Sequence, residues 1–341
     1  MMEIIDVFKR LVSAPSPTGA EQEAAEAVKE LLGPLVDSIE TDVLGNVIGA
    51  RRCGKKNAKK LLIDAHIDEI GFIVTGHEEG FLKFAALGGL DARTLAGAEV
   101  TVLGEEPLYG VIACLPPHVL TAEEREKAFE IKNMYIDLGL SQQQAEKAAP
   151  VGTRGIVRGD VVLRGGDICS RALDDKLCAA VLLCVMDDIK DAELDTDVYF
   201  MAAVQEEEGI RGAGAGAYRV EPDFAVSVDV GFAETPDSTE EVFKPGSGPA
   251  VAVGPNADRR LTKAIMQTAE KEGIPYSVEV IPQASGTDAR AIQLSRGGVA
   301  TAIVSLPIKN MHSSVEAARI SDAENTRRLI SAFIKGGMPK C

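Results

Sequence analysis

Apolar runs and amphipathic segments alternate along most of this chain. Residues 3–12 have the spacing of a short amphipathic helix, and Thr18 followed by Glu21 predicts a capping box that opens a second helix ending at Leu32. Apolar runs at 43–50 and 61–65 then predict two strands. Later segments with strand character are DVYFMAAVQ, FAVSVDV, SVEVIP and ATAIVSLP, and those with helical character are DDKLCAAVLLCVMDDIK, with one apolar face, residues 257–272 and AENTRRLISAFIK. This alternation predicts an α/β fold.

Between residue 71 and about residue 164 the pattern changes to short β-like runs separated by glycine-rich turns. The runs are GFIVTG, FLKFAAL, AEVTVLG and LYGVIACL, and the region also holds one charged segment with helical character, TAEEREKAFEIKNMY. A series of short β-like runs inside an α/β sequence predicts a small inserted β-rich domain. The expected division is a discontinuous catalytic domain at 1–68 and 164–341, with the insert at 69–163.

Composition narrows the classes of partner. The chain has 341 residues, 45% of them hydrophobic, which is enough for one large or two ordinary domains with a real core. The formal net charge is -16, so phosphate backbones and anionic membrane surfaces repel the chain. We therefore expect no nucleic-acid partner and no membrane binding. The absence of a long apolar span, and six cysteines without a CxxC pair, predict a cytoplasmic protein with reduced thiols.

Acidic and imidazole side chains follow the apolar strands at several places in the sequence. The set comprises His66, Asp68, Asp174, Asp175, Glu206, Glu207, Asp229 and His312. Because α/β sheets bind their ligands beyond the carboxyl ends of the strands, we expect these side chains to meet at one edge. Two imidazoles with several carboxylates provide the ligands for two divalent metal ions, a set that suits metal-assisted hydrolysis.

The pair Asp174 and Asp175 and the residue Asp68 have separate expected roles. Asp68 lies two residues after His66, on the same side of an extended segment, and is expected to hold the imidazole tautomer. Asp174 and Asp175 stand at the start of a helix, where a cap explains one of them. Asp174 is our choice for a carboxylate shared between two ions.

Three consecutive acids, Glu206, Glu207 and Glu208, leave a buried strand, where they would be costly without a nearby positive charge. One of them is expected to bind metal while its neighbour activates water, and Glu208 is expected to be solvated. Asp229 stands between two valines of an apolar strand and needs a metal or a hydrogen-bond network there.

The motifs HIDEIGF, ALDDK, VQEEEGIRGA, VDVGFAETPD, SGTDARAIQ and MHSSVE nearly span the chain. In order and spacing they closely resemble the tetrahedral aminopeptidase family, which includes glutamyl and deblocking aminopeptidases among dinuclear metallopeptidases. The resemblance implies a mixed-sheet α/β metallopeptidase domain with an inserted small β-barrel-like domain. It also implies one metal held by His66, Asp174 and Asp229, a second held by Asp174, Glu207 and His312, orientation of His66 by Asp68, and Glu206 as general base.

The chain departs from the family pattern at a few positions. Lys176 and Cys178 stand where Arg and a small residue are expected, Ser314 replaces Pro after the His-Ser pair, and Lys309 and Asn310 replace an Arg-Tyr pair. None of these changes removes a ligand, so activity is expected to be retained. Lys309 and Asn310 are expected near the pocket, where they would influence the choice of substrate.

Together these features predict a metallo-aminopeptidase that removes N-terminal residues from short peptides through a water bridging two divalent ions, Zn or Co. A dinuclear metal carboxypeptidase or deacylase stays open, because ligand motifs do not reveal which end of the substrate is bound. A glycoside hydrolase of the endoglucanase type is less favoured, because such enzymes usually present aromatic platforms and this chain has no Trp and 4% aromatic residues.

An aminopeptidase must also bind a free α-ammonium group close to the metal ions. That group needs carboxylates beyond those required by the metals, and Glu206, Glu208 and Asp288 are the available acids. The family resemblance further implies a homo-oligomer, a dodecamer, with the inserted domain serving assembly.

Overall fold

The computed structural model describes residues 2–116, 118–121, 123, 130–236, 238 and 242–339. Its helices are α1 (Ile4–Val12), α2 (Gln22–Leu32), α3 (Ala92–Leu95), α4 (Gln142–Ala148), α5 (Leu173–Ile189), α6 (Arg211–Val220), α7 (Arg259–Glu272), α8 (Ala289–Gln293) and α9 (Ile320–Gly336). Its strands are β1 (Ser38–Thr41), β2 (Val47–Arg51), β3 (Lys59–His66), β4 (Gly71–Glu78), β5 (Phe81–Leu87), β6 (Glu99–Leu103), β7 (Pro107–Ala113), β8 (Tyr135–Asp137), β9 (Arg154–Val157), β10 (Val162–Arg164), β11 (Asp167–Ser170), β12 (Thr196–Ala203), β13 (Phe224–Phe232), β14 (Ala250–Val253), β15 (Ser277–Val280), β16 (Ala300–Lys309) and β17 (Glu316–Arg319). Short 3-10 turns lie at Gly33–Leu35 and Ile131–Asn133.

Among the described residues, eleven strands form one mixed sheet. Its order is β1-β2-β12-β3-β13-β16-β17-β11-β10, and β14 joins through β16 and carries β15 on its other side. The four central strands β12, β3, β13 and β16 run parallel. Their outer neighbours β2 and β17 run antiparallel to them. The carboxyl ends of the four central strands therefore lie at a common edge.

Helices cover both faces of this sheet. Leu61 and Ile63 of β3 pack into a core shared with α1, α2, α5, α7 and α9. Leu62, which points the opposite way, packs with α6 and α8. A strand that is buried on both faces has a continuous run of apolar residues instead of alternating apolar and polar residues, which explains the LLIDA sequence of β3. For α5 we expected one apolar face, but all its residues except Asp188 are buried, because it lies between the sheet and the helices α1 and α9.

The other six strands close into an antiparallel barrel with the order β4-β5-β8-β7-β6-β9. All of them come from residues 71–157. Their alternate side chains, among them Phe72, Leu82, Val100 and Ile136, fill the barrel interior. The predicted fold class, α/β with a mixed sheet and a small β-barrel, is confirmed.

The predicted capping box at Thr18 and Glu21 is wrong. Helix α2 begins at Gln22, and the Glu21 carboxylate accepts the backbone N–H of Gly19 at 2.6 Å. The Thr18 hydroxyl instead donates to the Asp68 carboxylate at 2.5 Å. Donation by the hydroxyl to a buried carboxylate is charge-assisted and is stronger than the neutral bond that its oxygen would accept from a backbone N–H at the helix start. The long-range contact is therefore favoured over the local motif.

Two further expectations differ from the structure or lie outside it. The strand expected at 43–50 starts only at Val47, because the Asp42 side chain accepts the backbone N–H groups of Leu44, Gly45 and Asn46 and closes a turn. Most of the TAEEREKAFEIKNMY segment lies outside the described residues. Within the part of the chain that the structure describes, no helix is long and apolar enough to cross a membrane.

Candidate metal centre

The candidate site lies at the carboxyl edge of the four central strands. Strand β3 ends at His66, and Glu206 and Glu207 follow the end of β12. Asp229 lies in β13, and His312 follows the end of β16 by three residues. Because parallel strands present their carboxyl ends on the same side, residues far apart in sequence meet here, as expected.

Asp174, at the start of α5, lies between the two imidazoles. Its Oδ1 atom is 3.1 Å from Nε2 of His66, and its Oδ2 atom is 3.2 Å from Nε2 of His312. The same His312 nitrogen is 3.4 Å from Oε2 of Glu207. Burial alone would raise the pKa of Asp174, but its contacts with His312 and His66 hold that pKa well below its usual range. Each oxygen of this carboxylate thus faces a different group of ligand atoms.

A second group of possible ligand atoms lies on the β13 side of His66. The Nε2 atom of His66 is 4.0 Å from Oδ1 of Asp229 and 3.9 Å from Oε2 of Glu206. Ligand atoms of His66, Asp175 and Asp229 lie within 4.8 Å of one another, as do those of His66, Asp174 and Glu207. The structure therefore brings together the five residues that the sequence nominated as metal ligands and adds Asp175 beside them.

Asp68 holds the end of β3 against the segment that follows β12. Its carboxylate accepts the backbone N–H groups of Glu206 at 3.0 Å and Glu207 at 3.2 Å. Its backbone carbonyl oxygen lies 3.1 Å from Nδ1 of His66, and its Oδ1 atom lies 3.4 Å from the same nitrogen. Since a carbonyl oxygen only accepts, Nδ1 carries the hydrogen and Nε2 is left free to bind a ligand.

The donor set fits divalent cations. Burial and the charge of Asp229 raise the pKa of Glu206 to about 9, and burial and the charge of Asp174 raise that of Glu207 to about 10. Buried oxygens Oδ1 of Asp175 and Oε1 of Glu207 have no hydrogen-bond partner. Carboxylates that repel one another and lack donors are stabilised by positive charge between them, which divalent ions supply.

The sequence reasoning did not assign a role to Glu316. This buried residue at the start of β17 accepts the backbone N–H of Asp174 at 3.1 Å through one oxygen and that of His312 at 2.8 Å through the other. It thereby fixes the positions of two expected ligands that come from different elements. The surrounding sequence, SSVEAARI, gives no signal for this role, because the two N–H groups that donate to Glu316 come from parts of the chain that are distant from each other.

The departures from the family pattern leave the donor set intact. Lys176 is fully buried. Its ammonium group donates to the Glu69 carboxylate at 2.7 Å and to the backbone carbonyl of Ala14 at 2.8 Å. Cys178 is buried in the core, where burial raises its thiol pKa. Lys176 is thus bound to groups outside the donor set, whereas the Cys178 thiol is hydrogen-bonded to the Asp175 carboxylate beside it. Both changes alter the support of the site and leave the donor atoms in place.

A cavity of about 550 Å³ opens beside the candidate metal ligands. Met311 and His312 line it, but Lys309 and Asn310 do not. The Asn310 side chain instead donates to the backbone carbonyl of Val315 at 3.2 Å. Lys309 and Asn310 thus lie within two residues of the cavity lining without lining it, and their influence on the choice of substrate stays a prediction.

Of the three acids considered for the substrate ammonium, only Glu206 is among the described residues that line this cavity. Glu208 accepts the backbone N–H of Gly88 at 2.9 Å. Asp288 is buried, and burial and the charge of Asp64 raise its pKa well above the usual range. Glu208 and Asp288 therefore do not supply the surplus charge in the cavity.

Comparison with known proteins places this geometry in a family. The sequence model of the M42 glutamyl aminopeptidase family matches residues 45–329. The lysyl aminopeptidase of Pyrococcus furiosus is 33% identical over 339 residues, which cover 97% of this chain and 96% of that protein. An aminopeptidase structure from the archaeon Desulfurococcus kamchatkensis has a TM-score of 0.91 at 34% identity, covering 98% of this chain and 95% of its own.

A further solved structure is the TET1 peptidase of Pyrococcus horikoshii, described as assembling into a tetrahedron or a large octahedral shell. It has a TM-score of 0.85 at 31% identity and covers 97% of this chain and 99% of its own. The family match spans most of the chain, and the relatives cover nearly all of it at this identity. The chain belongs to the M42 glutamyl aminopeptidase family and is a metallo-aminopeptidase, an enzyme that hydrolyses peptide bonds.

Proposed function

We propose that this enzyme removes N-terminal residues from short peptides and works with two divalent metal ions, Zn or Co. His66, Asp174 and Asp229 would hold one ion, and Asp174, Glu207 and His312 the other. The observation that carries this assignment is the position of Asp174, whose two carboxylate oxygens face the two imidazoles at 3.1 Å and 3.2 Å. A carboxylate with its two oxygens directed in this way would be able to serve both ions of a two-metal site.

When bound, such ions supply Lewis acidity for the scissile carbonyl and make water a stronger acid at neutral pH. Glu206 would act as the general base. Its carboxylate lines the cavity beside His66, and no backbone N–H of the described residues donates to it, which supports this role. It would take a proton from the attacking water on a carboxylate oxygen and return it to the nitrogen of the leaving amine. Asp68 keeps both His66 and the Glu206 backbone in place for this step.

The charge of the cavity favours an aminopeptidase over the alternatives. Its lining includes Glu206 and Glu279, and no Lys or Arg is among the described residues that line it. A carboxypeptidase needs a cation for the substrate carboxylate, and a deacylase gains nothing from surplus acids. A glycoside hydrolase relies on two carboxylates flanking a sugar ring rather than on acids gathered around imidazoles. An ammonium group is the charge that this lining attracts.

The aminopeptidase assignment is tested with peptides that differ only at the N-terminus. Free peptides should lose residues one at a time from that end, and N-acetylation should lower kcat/KM by at least about 10²-fold, because a buried carboxylate loses its charged partner. Chelation should abolish turnover, and added Zn²⁺ or Co²⁺ should restore it. Equal hydrolysis of acetylated and free peptides, or full activity in protein shown to be free of metal, would contradict the proposal.

Assembly belongs to the same proposal. Residues 69–163, which contain the barrel, are proposed to form an inserted domain between the two parts of the catalytic domain at 1–68 and 164–341. The structural relative that forms tetrahedral or octahedral shells supports a closed homo-oligomer for this chain as well. A dodecamer is the assembly we propose, with the inserted domain contributing to subunit contacts.

A further inference from the structure

The names of relatives do not indicate which N-terminal residue this enzyme prefers. The family is described by a glutamyl activity, and a relative with 33% identity is named a lysyl aminopeptidase, so side chains of opposite charge are represented. The preference has to be inferred from the cavity of this chain. The inference that follows rests on the proposed aminopeptidase function.

Glu279 is the acid of interest, since it lines the cavity away from the metal cluster. It belongs to β15, where Ser277 and Glu279 are half-buried while Val278 and Val280 between them are exposed. This alternation turns the Glu279 side chain towards the sheet interior, as expected for a strand with one covered face. Its carboxylate accepts a hydrogen bond from the Ser305 hydroxyl at 2.7 Å.

The sheet register places Glu279 at a defined separation from the reaction centre. Ser305 of β16 is the register partner of Asp229 in β13, so the two side chains point to the same face. Neighbouring strands are about 4.8 Å apart. The Glu279 carboxylate lies a further hydrogen bond beyond Ser305, on the side away from Asp229. A substrate group that reaches it from the metal cluster has to span the width of β16.

The cavity between these two points has apolar walls. Phe232, Ile281 and Met311 are among the residues that line this cavity. A pocket with apolar walls and a single carboxylate at its far end matches the side chain of lysine or arginine, in which a methylene stem carries a terminal cation. An α-ammonium group lies one carbon from the scissile carbonyl and would not span the width of β16 to reach Glu279. One carboxylate with a hydroxyl is too few ligands for another metal ion.

Among the residues that the structure describes, no Lys, Arg or His forms an ion pair with Glu279. Burial raises its pKa, the hydroxyl of Ser305 opposes that effect, and no charged neighbour contributes. The described cavity lining offers it neither Lys nor Arg. A half-buried carboxylate without a counter-ion is unfavourable in the free enzyme, and a bound cation relieves this cost. The free energy gained in this way favours substrates that bring the cation.

We propose that Glu279 is a specificity-determining residue and that the enzyme prefers peptides whose first residue is lysine or arginine. The first residue would place its carbonyl at the metal cluster and its side chain along Phe232, Ile281 and Met311, with the terminal cation paired to Glu279. Ser305 holds the carboxylate in that position.

The test compares aminoacyl p-nitroanilides of lysine, arginine, norleucine, leucine and glutamate on the metal-loaded full chain. Norleucine keeps the lysine stem and lacks its charge. The wild type should show a lysine-to-norleucine ratio of kcat/KM of at least about 10, since an ion-paired hydrogen bond contributes roughly 1.5–3 kcal/mol. In Glu279→Gln this ratio should fall to near one. The control Glu272→Gln removes an equal charge from the exposed end of α7 and should leave the ratio unchanged.

A second variant covers the case in which Glu279→Gln is poorly folded. Glu279→Lys should move the preference towards the glutamate substrate, and the wild-type ratio is informative without any variant. A wild-type ratio near one, or a ratio that Glu279→Gln leaves unchanged because all substrates lose the same factor, would overturn the proposal. Hydrolysis of leucine and norleucine substrates would then leave the aminopeptidase function standing. Failure of every substrate with a free N-terminus would instead overturn both.

Discussion

At the residue scale, the position of Asp174 depends on groups from separate parts of the chain. Its side chain contacts the imidazole at the end of β3 and the imidazole that follows β16, and its backbone N–H donates to Glu316 of β17. Each of these partners is itself held, His66 by Asp68 and His312 by Glu316. These hydrogen bonds hold the expected ligands in position before a metal ion binds.

Glu206 should be separable from the metal ligands by mutation. Glu206→Gln is expected to keep both ions and to lose roughly 10² to 10⁴ in kcat, the usual contribution of a general acid-base group. Metal content measured by elemental analysis alongside turnover distinguishes the roles. Glu324→Gln, an exposed acid in α9, is the matched control. Loss of metal together with activity would show that Glu206 is a ligand and would move the base to Glu207.

Glu21 predicts a pH dependence of stability that is independent of the metal ligands. Burial raises its pKa from 4.5 to about 7, against the hydrogen bond from Gly19 that lowers it. The folded state therefore binds the proton more tightly than the unfolded state does. The cost of ionised Glu21 is absent below pH 4.5, grows between pH 4.5 and 7, and is complete above pH 7.

Replacing Glu21 by Gln should consequently stabilise the protein at pH 8, by an amount on the order of 3 kcal/mol. The gain should shrink as the pH falls and vanish near pH 4.5, while the Gln carbonyl still accepts the Gly19 N–H. Denaturant unfolding across this range measures it. Glu23→Gln, an exposed neighbour on α2, should show no such trend. An equal effect of the Glu21 variant at pH 5 and pH 8 would contradict the prediction.

The residues of the cluster could be found from sequence because each carries a local signal. His66, Asp229 and the acids after β12 interrupt or end apolar strands, where a charge is costly without a partner. Thr18 and Glu316 carry no such signal. Thr18 fits a helix cap equally well, and the role of Glu316 depends on two backbone N–H groups that only the folded chain brings together. Hydrogen bonds between distant segments leave no periodic pattern in the sequence, so they cannot be predicted as helices and strands can.

At the scale of elements, the central strands were predictable in place but not in order. Apolar runs mark β3, β12, β13 and β16, yet their order in the sheet follows from which helices connect them and which faces are covered. The burial of nearly all of α5 was missed for the same reason. Because α5 has polar residues at its ends, its sequence predicts an amphipathic helix. Packing between the sheet and the helices α1 and α9 instead buries nearly all of its residues.

Glu316 connects the start of α5 with the segment before β17 by accepting the N–H groups of Asp174 and His312, and this connection should control metal affinity. Glu316→Gln replaces one acceptor oxygen by an amide NH₂ group, which faces a backbone N–H of Asp174 or His312 and repels it. Metal affinity should fall by about 10- to 100-fold, as for other groups that orient ligands. Titration with Co²⁺ followed by its absorption measures the affinity directly, without activity. Glu324→Gln serves as the control, and unchanged Co²⁺ binding in the Glu316 variant would reject the role.

At the scale of the whole molecule, the barrel and the catalytic edge are in contact. An added Cβ at Gly89, just beyond β5, would lie 2.4 Å from the His312 ring, so the backbone there passes directly over the site. The loop at Gly88 is also bound through its N–H to Glu208. The arrangement of the barrel therefore affects access to the cavity, and subunit contacts made by the barrel would affect it too.

A closed homo-oligomer is the last prediction. The relative that forms tetrahedral or octahedral shells matches this chain at a TM-score of 0.85 over nearly its whole length. The barrel also exposes large apolar side chains, among them Tyr109, Leu115 and Val151, whose burial between subunits would stabilise an assembly. Multi-angle light scattering should give a mass near twelve times the 36.1 kDa of one chain. Replacing these three side chains by lysine should lower that mass, whereas lysine at the exposed Val43, outside the barrel, should not. A monomer at working concentration would reject the assembly while leaving the metal centre within each subunit unaffected.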